Sequence, residues 1–219
     1  MLQDLISDRF DYFEMDEFKN MFNVRDYIAP TTLLSSGDSE FMNAMKNNPR
    51  SPIYQAMADG ADFHTSIERG VGVDPHNQRL LDYFNANVVC DIDEVWGLEK
   101  AVISHPNRMK GIFDGAGVFR GRRTIWDYKK VNKLKTPSKI KKYMKQLASY
   151  AICHDEMYGW CGGQIDQVVL VQIGGKRNED ISHRINVIDG DELQSWKDEY
   201  LADVTQWWTT HKKPEYMLV

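Results

Sequence analysis

Cysteine is scarce in this 219-residue chain: there are three, Cys90, Cys153 and Cys161, and no two stand in CxxC spacing. An odd, scattered set argues against a disulfide framework or a cysteine zinc site, and for reduced thiols in a cytosol. No apolar run approaches the roughly 18 residues needed to cross a bilayer, so no membrane span is expected. The first residues, MLQDLISDRFDYFEMDEF, are acidic. They lack the basic start of a secretory signal and the Arg-rich, acid-poor look of a transit peptide. The expectation is a cytoplasmic protein. Repeats and low-complexity tracts are also missing, which excludes solenoids and compositionally disordered chains.

The chain does have a core's worth of apolar residues: 42% of the total, with 11% aromatic. At this length one globular domain over residues 1–219 is expected. The net charge of −5 argues against a protein that coats nucleic acid over its whole surface. The distribution says more. Residues 106–146 hold thirteen Lys/Arg and two acids, Asp114 and Asp127, a local charge of +11 against −16 for the remainder. A basic segment in an acidic body fits a focused site for a polyanion. The alternative is a solvated charged face.

The patterning predicts helices over 52–69, ended by Gly70, and over 77–87. A short helix start follows an extended lead-in within 27–36, and a helical look extends over 16–22. Strands are expected from about 95 to 104, over 111–119 and 122–128 with a tight turn at Arg120-Gly121, then over 166–173 and 184–188. Thr136-Pro137 reads as the cap and first turn of a helix to about 154. Its buried stripe would be Ile140, Tyr143, Leu147 and Ala151. Asp189 or Asp191 caps a last amphipathic helix through Leu193, Trp196, Tyr200, Val204 and Trp207. Helices, three strands, helix, two strands, helix: the order predicts an α/β or α+β domain with a mixed central sheet.

Asp114 lies in one of these strands and Asp127 and Lys129 in the next. A strand alternates faces, so Asp127 and Lys129 project to one side, and a hairpin can bring Asp114 beside them. Two close carboxylates resist joint ionisation unless something positive sits between them. Hard carboxylate oxygens suit Mg²⁺ or Mn²⁺. Upstream, Gly60-x-x-x-His64 shares a helix face with Glu68; downstream, Gln146-x-x-x-Tyr150 shares another.

This order of motifs resembles the RecB-type nucleases of the PD-(D/E)XK superfamily: GxxxH on a helix, GxxD on a strand (Gly111 to Asp114), DxK on the next, QxxxY on the following helix. Within that superfamily the pattern is most similar to the mitochondrial genome maintenance exonuclease group and its phage relatives. Pro30-Thr31-Thr32, Leu98-Glu99 ahead of His105 and the tryptophan-rich last helix support it. The resemblance spans 29–208 and leaves 1–28 as an extension outside the recognised core.

The resemblance implies a restriction-endonuclease-like core of about five strands flanked by helices. It implies a Mg²⁺- or Mn²⁺-dependent DNA exonuclease preferring single strands, in bacterial or phage replication, recombination or repair. His64, Asp114, Asp127 and the Tyr128 carbonyl would bind the metal. Lys129 would act on the water or the scissile phosphate, and Gln146 and Tyr150 would hold the strand or the site. Glu99 would bind metal through water or pair with a nearby base. Glu68 would orient His64 or form a surface ion pair. Arg120, Arg122, Arg123, Lys130, Lys133, Lys135, Lys139 and Lys142 would track the DNA backbone. Tyr12, Phe13, Phe18 and Phe22 would close over a threaded strand or simply pack. Some relatives carry a four-cysteine iron–sulfur cluster; with no cysteine before His64, none is expected here. Lys130 stands where many relatives have Thr or Ser. Open alternatives are an endonuclease using the same site, a non-catalytic module binding single-stranded DNA, and a metal-dependent hydrolase of another substrate.

Overall fold

The long helices begin where a side chain can hold a free backbone amide. In the computed structural model, which describes residues 1–14, 16–17, 26–175 and 179–211, Ser51 accepts from the Tyr54 amide at the start of α3 (Pro52–Arg69). Asp74 accepts from the Asn77 amide at the start of α4 (Pro75–Asn87). Proline follows each cap, where its missing N–H costs nothing. Gly70, at φ 69°, ends α3 in the left-handed conformation that glycine adopts freely. Two short helices precede them, α1 (Pro30–Ser35) and α2 (Glu40–Lys46). No expectation from sequence covered α2, and it buries none of its residues.

The sheet has five strands: β1 (Ile92–Ser104), β2 (Met109–Phe119), β3 (Arg122–Val131), β4 (Gln167–Gly174) and β5 (Ser182–Asp189), in that spatial order. Only β3 and β4 pair in parallel; the other neighbours are antiparallel. Joining parallel strands needs a crossover, and α5 (Lys141–Tyr158) provides it. The last helix, α6 (Gly190–Thr210), follows β5 directly. This is the mixed five-stranded sheet flanked by helices that the element order predicted.

Alternation along the strands divides the core. Phe113, Ile125, Val168 and Leu170 pack with Leu147 and Ala151 of α5 and with Tyr200 and Val204 of α6. Trp126, Tyr128, Val169 and Val171 pack with Phe63 and Ile67 of α3 and Leu80 and Phe84 of α4. Residues at the start of the chain bind the open edge of β1: the Ser7 amide donates to the Val95 carbonyl at 2.8 Å, and Phe13 bridges Ala101. Leu2 is buried beside Phe63, and the Tyr12 hydroxyl lies 2.6 Å from His154 Nε2 inside an aromatic cluster. Tyr12 and Phe13 therefore pack at the sheet edge. Phe18, Phe22 and most of the helix expected over 16–22 lie outside the described residues.

Two expected helix caps make no cap bond, and several boundaries move: α4 begins at Pro75, β1 at Ile92 and β2 at Met109. The helix after Thr136 starts as a separate 3-10 turn, and α5 begins only at Lys141, because the Thr136 hydroxyl meets Ser138 Oγ and caps no amide. Asp189 precedes α6, but its carboxylate pairs with Arg122 and makes no cap bond.

The two motif glycines do different work. A Cβ on Gly111 would meet the Tyr150 ring at 2.4 and 2.6 Å, so that ring packs on bare backbone. A Cβ on Gly60 would meet nothing within 4 Å. We expect Gly111→Ala to destabilise the fold by about 1–3 kcal/mol through overpacking, and Gly60→Ala to stabilise it by up to ~1 kcal/mol by removing glycine from a helix interior. Urea midpoints measure both; an unshifted midpoint for Gly111→Ala would show that Tyr150 does not hold that position.

Candidate metal centre and groove

Pairing between β2 and β3 runs from Phe119–Arg122 to Gly115–Trp126 and stops there. Beyond that point β2 stays with β1 and β3 stays with β4, so the sheet forks. Asp114 and Asp127 are the first residues past the last pair. The Tyr128 amide, which loses its partner strand on that side, donates to Asp114 Oδ2 at 2.8 Å. Asp114 thus satisfies a backbone group that the fork would otherwise leave buried and unpaired.

Asp127 and Lys129 meet as the two-residue period requires. Lys129 Nζ lies 2.7 Å from both Asp127 oxygens, hydrogen-bonds Oδ1, and leaves Oδ2 with no hydrogen-bond partner. Asp127 is 1% exposed and Asp114 7%. Burial first, then the charge of Asp114, push the Asp127 carboxyl up to about 7, against the pull of Lys129. Burial opposes charge on Lys129, but Asp127 and Asp114 outweigh it and hold the ammonium above its ordinary range.

His64 reaches the fork from α3. Its Nε2 lies 2.9 Å from the Tyr128 carbonyl; a carbonyl only accepts, so Nε2 carries the proton. Nδ1 then faces two carboxylates, Glu99 Oε1 at 3.4 Å and Asp114 Oδ2 at 3.5 Å. A bare lone pair between two anions is unfavourable, so that position calls for a proton or a cation. Burial works against a charged His64, yet the Glu99 hydrogen bond and the Asp114 charge raise its pKa overall. Glu99 sits across the β1–β2 ladder from Asp114 with φ of 51°. A left-handed glutamate costs roughly 1–3 kcal/mol, a strain that tends to gather at functional sites.

Among the described residues, the side chains with metal-binding spacing are His64, Glu99 and Asp114, whose ligand atoms all lie within 4.8 Å of one another. His64 and Asp114 belong to the expected set; Asp127 contacts Lys129, the Tyr128 carbonyl accepts from His64, and Glu99, expected to reach a metal through water or to pair with a base, lies 3.4 Å from His64 Nδ1. A divalent cation fits here: it would replace the proton at Nδ1 and give Asp127 Oδ2, which accepts no hydrogen bond, a further partner. The His64–carbonyl bond would fix the ring, as outer contacts of metal ligands do. Glu68 does not orient His64; Glu99 takes that contact.

The centre opens on a groove of about 880 Å³ lined by Gly60, Met57, Lys129, Lys135 and Tyr143. The empty space above Gly60 is part of it. Gln146, which lines a neighbouring recess, donates to the hydroxyl of the buried Tyr150 at 2.6 Å. Tyr143, expected in the buried stripe, is half-buried: it packs against the core and also lines the groove, its ring 5.6 Å from Lys129 Nζ and 4.7 Å from Lys135 Nζ. Its i, i+3 relation to Gln146 was the signal available in sequence.

The basic residues separate into two groups. Arg120 pairs with Asp91, Arg122 with Asp189 and Arg123 with Asp166, at the β2–β3 turn, the other end of β3 from the fork. Lys130 is also engaged: 8% exposed, it lies 3.1 Å from Asp59 Oδ2 on α3 and 3.2 Å from Asn77 Oδ1 on α4. All four are thus paired within the chain; the Lys130 side chain is buried, while Arg120 and Arg122 stay exposed to solvent and Arg123 partly so. Lys133, Lys135, Lys139 and Lys142 lie between the end of β3 and the first turn of α5; Lys135 lines the groove and Lys142 the neighbouring recess.

A carboxyl that binds its proton more tightly in the folded than in the unfolded chain supports the fold while protonated. For Asp127 that support is complete below about pH 4 and is lost as pH rises through about 7. Asp127→Asn keeps an acceptor for Lys129 and is never charged. In EDTA it should exceed wild type in stability by about 1–3 kcal/mol at alkaline pH, with the gap shrinking toward pH 5. Added Mn²⁺ should raise the melting temperature of wild type more than that of the variant. Thermal melts at several pH values decide it; a gap independent of pH would contradict the assignment.

No protein-family model and no curated protein sequence matches the chain. Among solved structures, a candidate exonuclease from Eubacterium rectale superposes on 90% of this chain and 85% of its own, with a TM-score of 0.52 at 11% identity. An alkaline exonuclease from Laribacter hongkongensis aligns with 92% of this chain and 100% of its own, with a TM-score of 0.41 at 14% identity. At 11% identity the first likeness establishes the fold: both chains wrap helices around the same kind of mixed sheet.

Proposed function

We propose that this chain is a metal-dependent deoxyribonuclease of the PD-(D/E)XK superfamily, acting as an exonuclease and preferring single strands. The observation that carries the reading is the forked sheet. It buries Asp114 and Asp127 together, sets Lys129 and His64 against them, and opens the cluster onto a groove of about 880 Å³. The fold shared with a candidate exonuclease agrees with it.

His64, Glu99 and Asp114 would hold Mg²⁺ or Mn²⁺, with Asp127 Oδ2 as a fourth donor. Bound there, the cation supplies Lewis acidity and a water of lowered pKa. The remaining work falls to the chain itself. Lys129 stays protonated between two carboxylates, so its role is charge neutralisation on the phosphate oxygens and not proton abstraction. Tyr150 stays a neutral phenol, kept so first by burial and then by the charge of Asp127, and the Gln146 amide fixes its hydroxyl. The lysines at the groove side would meet backbone phosphates.

The test uses end-labelled linear single and double strands and circular single strands, each with Mg²⁺ or Mn²⁺. Wild type should shorten linear single strands fastest, spare circles and stop in EDTA. Asp114→Asn, Asp127→Ala and Lys129→Met should each lose about 10²–10³-fold in rate. Cleavage of circles would replace the exonuclease reading with an endonuclease. Equal rates for Asp127→Ala and wild type would remove the site assignment. Binding of single strands with no cleavage in either metal would make the chain a binding module.

A further inference from the structure

The groove does not end at the metal centre. A second recess of about 440 Å³ shares Met57 and Tyr143 with the first and continues between α1, α2 and α5. Its far wall carries three charged groups: Asp38, Lys46 and Lys142. Lys46, from α2, lies 2.5 Å from Asp38 Oδ2; Lys142, from α5, lies 3.5 Å from Oδ1. Two ammonium groups from separate elements thus converge on the two oxygens of one carboxylate. Gln146, which holds Tyr150, lines the same recess, so it adjoins the wall of the catalytic fork.

We propose that Lys46 and Lys142 form a subsite for a backbone phosphate of the strand flanking the scissile position, and that Asp38 occupies it in the free protein. This rests on the nucleic-acid reading of the site. A carboxylate and a phosphodiester each present two anionic oxygens at similar spacing, so one stands in for the other between the same cations. The Lys142 side chain is 66% exposed and the Asp38 side chain 17%, so the cation on the rim is the one an incoming strand meets first. Asp38 lies in the short loop between α1 and α2, and α2 buries no residue, so moving the carboxylate aside disturbs no core packing. The consequence distinguishes a competitor from a staple. A carboxylate that only ties α2 to α5 supports the groove, and its loss weakens binding. A carboxylate that competes with phosphate limits affinity, and its loss tightens binding.

The experiment measures fluorescence anisotropy of a labelled oligo-deoxythymidine in EDTA with the full chain, together with KM and kcat for strand digestion in Mg²⁺. Asp38→Asn should bind about threefold to tenfold tighter, with KM lowered in proportion and kcat unchanged. Lys142→Met should bind about threefold to tenfold weaker and flatten the slope of log K against log salt by about 0.7, the loss of one phosphate contact on a single strand. Asp38→Asn/Lys142→Met should return toward the affinity of Lys142→Met alone. Equal or weaker binding and an unchanged or raised KM for Asp38→Asn, at a melting temperature matching wild type, overturns the subsite. Asp38→Ser repeats the measurement should the asparagine variant fail to fold. Wild type that digests strands while Asp38→Asn leaves affinity and KM unmoved refutes the subsite alone; wild type that neither binds nor digests any strand refutes it together with the nuclease reading.

Discussion

Everything near the centre depends on the parting of β2 and β3 after the Gly115–Trp126 pair. A sheet that forks exposes backbone groups with no partner strand, and burying them unpaired would cost more than the local packing returns. Here the Asp114 carboxylate replaces the missing carbonyl for the Tyr128 amide. That substitution brings a charge into the sheet's interior. Once Asp114 is there, Asp127 on the facing strand adds a second buried acid, and Lys129 and His64 become the groups that keep the pair tolerable.

The arrangement works against stability in the metal-free protein. Asp127 keeps one oxygen without a hydrogen bond, His64 directs Nδ1 at two carboxylates, and Glu99 holds a left-handed backbone to be one of them. Each would be a defect in a chain selected for stability alone, and all three concern the same few ångströms. Braces on every side hold the defects in place. Lys130 ties β3 to α3 and α4 immediately behind the centre, and Tyr150 seats its ring on bare Gly111 at its front. An ion pair between a lysine with a buried side chain and a half-exposed aspartate contributes little net stability, but removing the acid leaves the lysine's charge buried and unpaired. Such a pair therefore fixes the relative position of helix and strand more than it strengthens the fold.

The sequence made legible those features that local rules determine. Terminal glycine placed the end of α3; the two-residue period placed Asp127 beside Lys129; order alone predicted a mixed sheet. It missed what depends on distant partners. Nothing near Arg120, Arg122 or Arg123 announces that Asp91, Asp189 and Asp166 neutralise them. Glu99 was among the expected site residues and pairs with His64, but its left-handed backbone is something no residue preference signals. Thr136 looks like a helix cap by composition, yet its hydroxyl finds Ser138 first. Tyr143 satisfied the apolar period of α5 and was for that reason assigned to the core, although the period of a helix does not say which flank of the stripe faces a groove.

The basic segment shows how charge counted along a chain differs from charge placed in space. Thirteen cations between residues 106 and 146 suggested one continuous track. Folding divides them: the arginines at the β2–β3 turn are each matched by an acid, and their field beyond a Debye length is small. Among the described residues, the lysines after β3 have no acid partner, apart from Lys142 on Asp38 and Lys145 on the acids of α6. The unneutralised charge is therefore left at the forked end of the sheet, where the strands part and the groove begins. The sheet's length, and not the count of lysines, separates the charge that holds the fold from the charge available to a ligand.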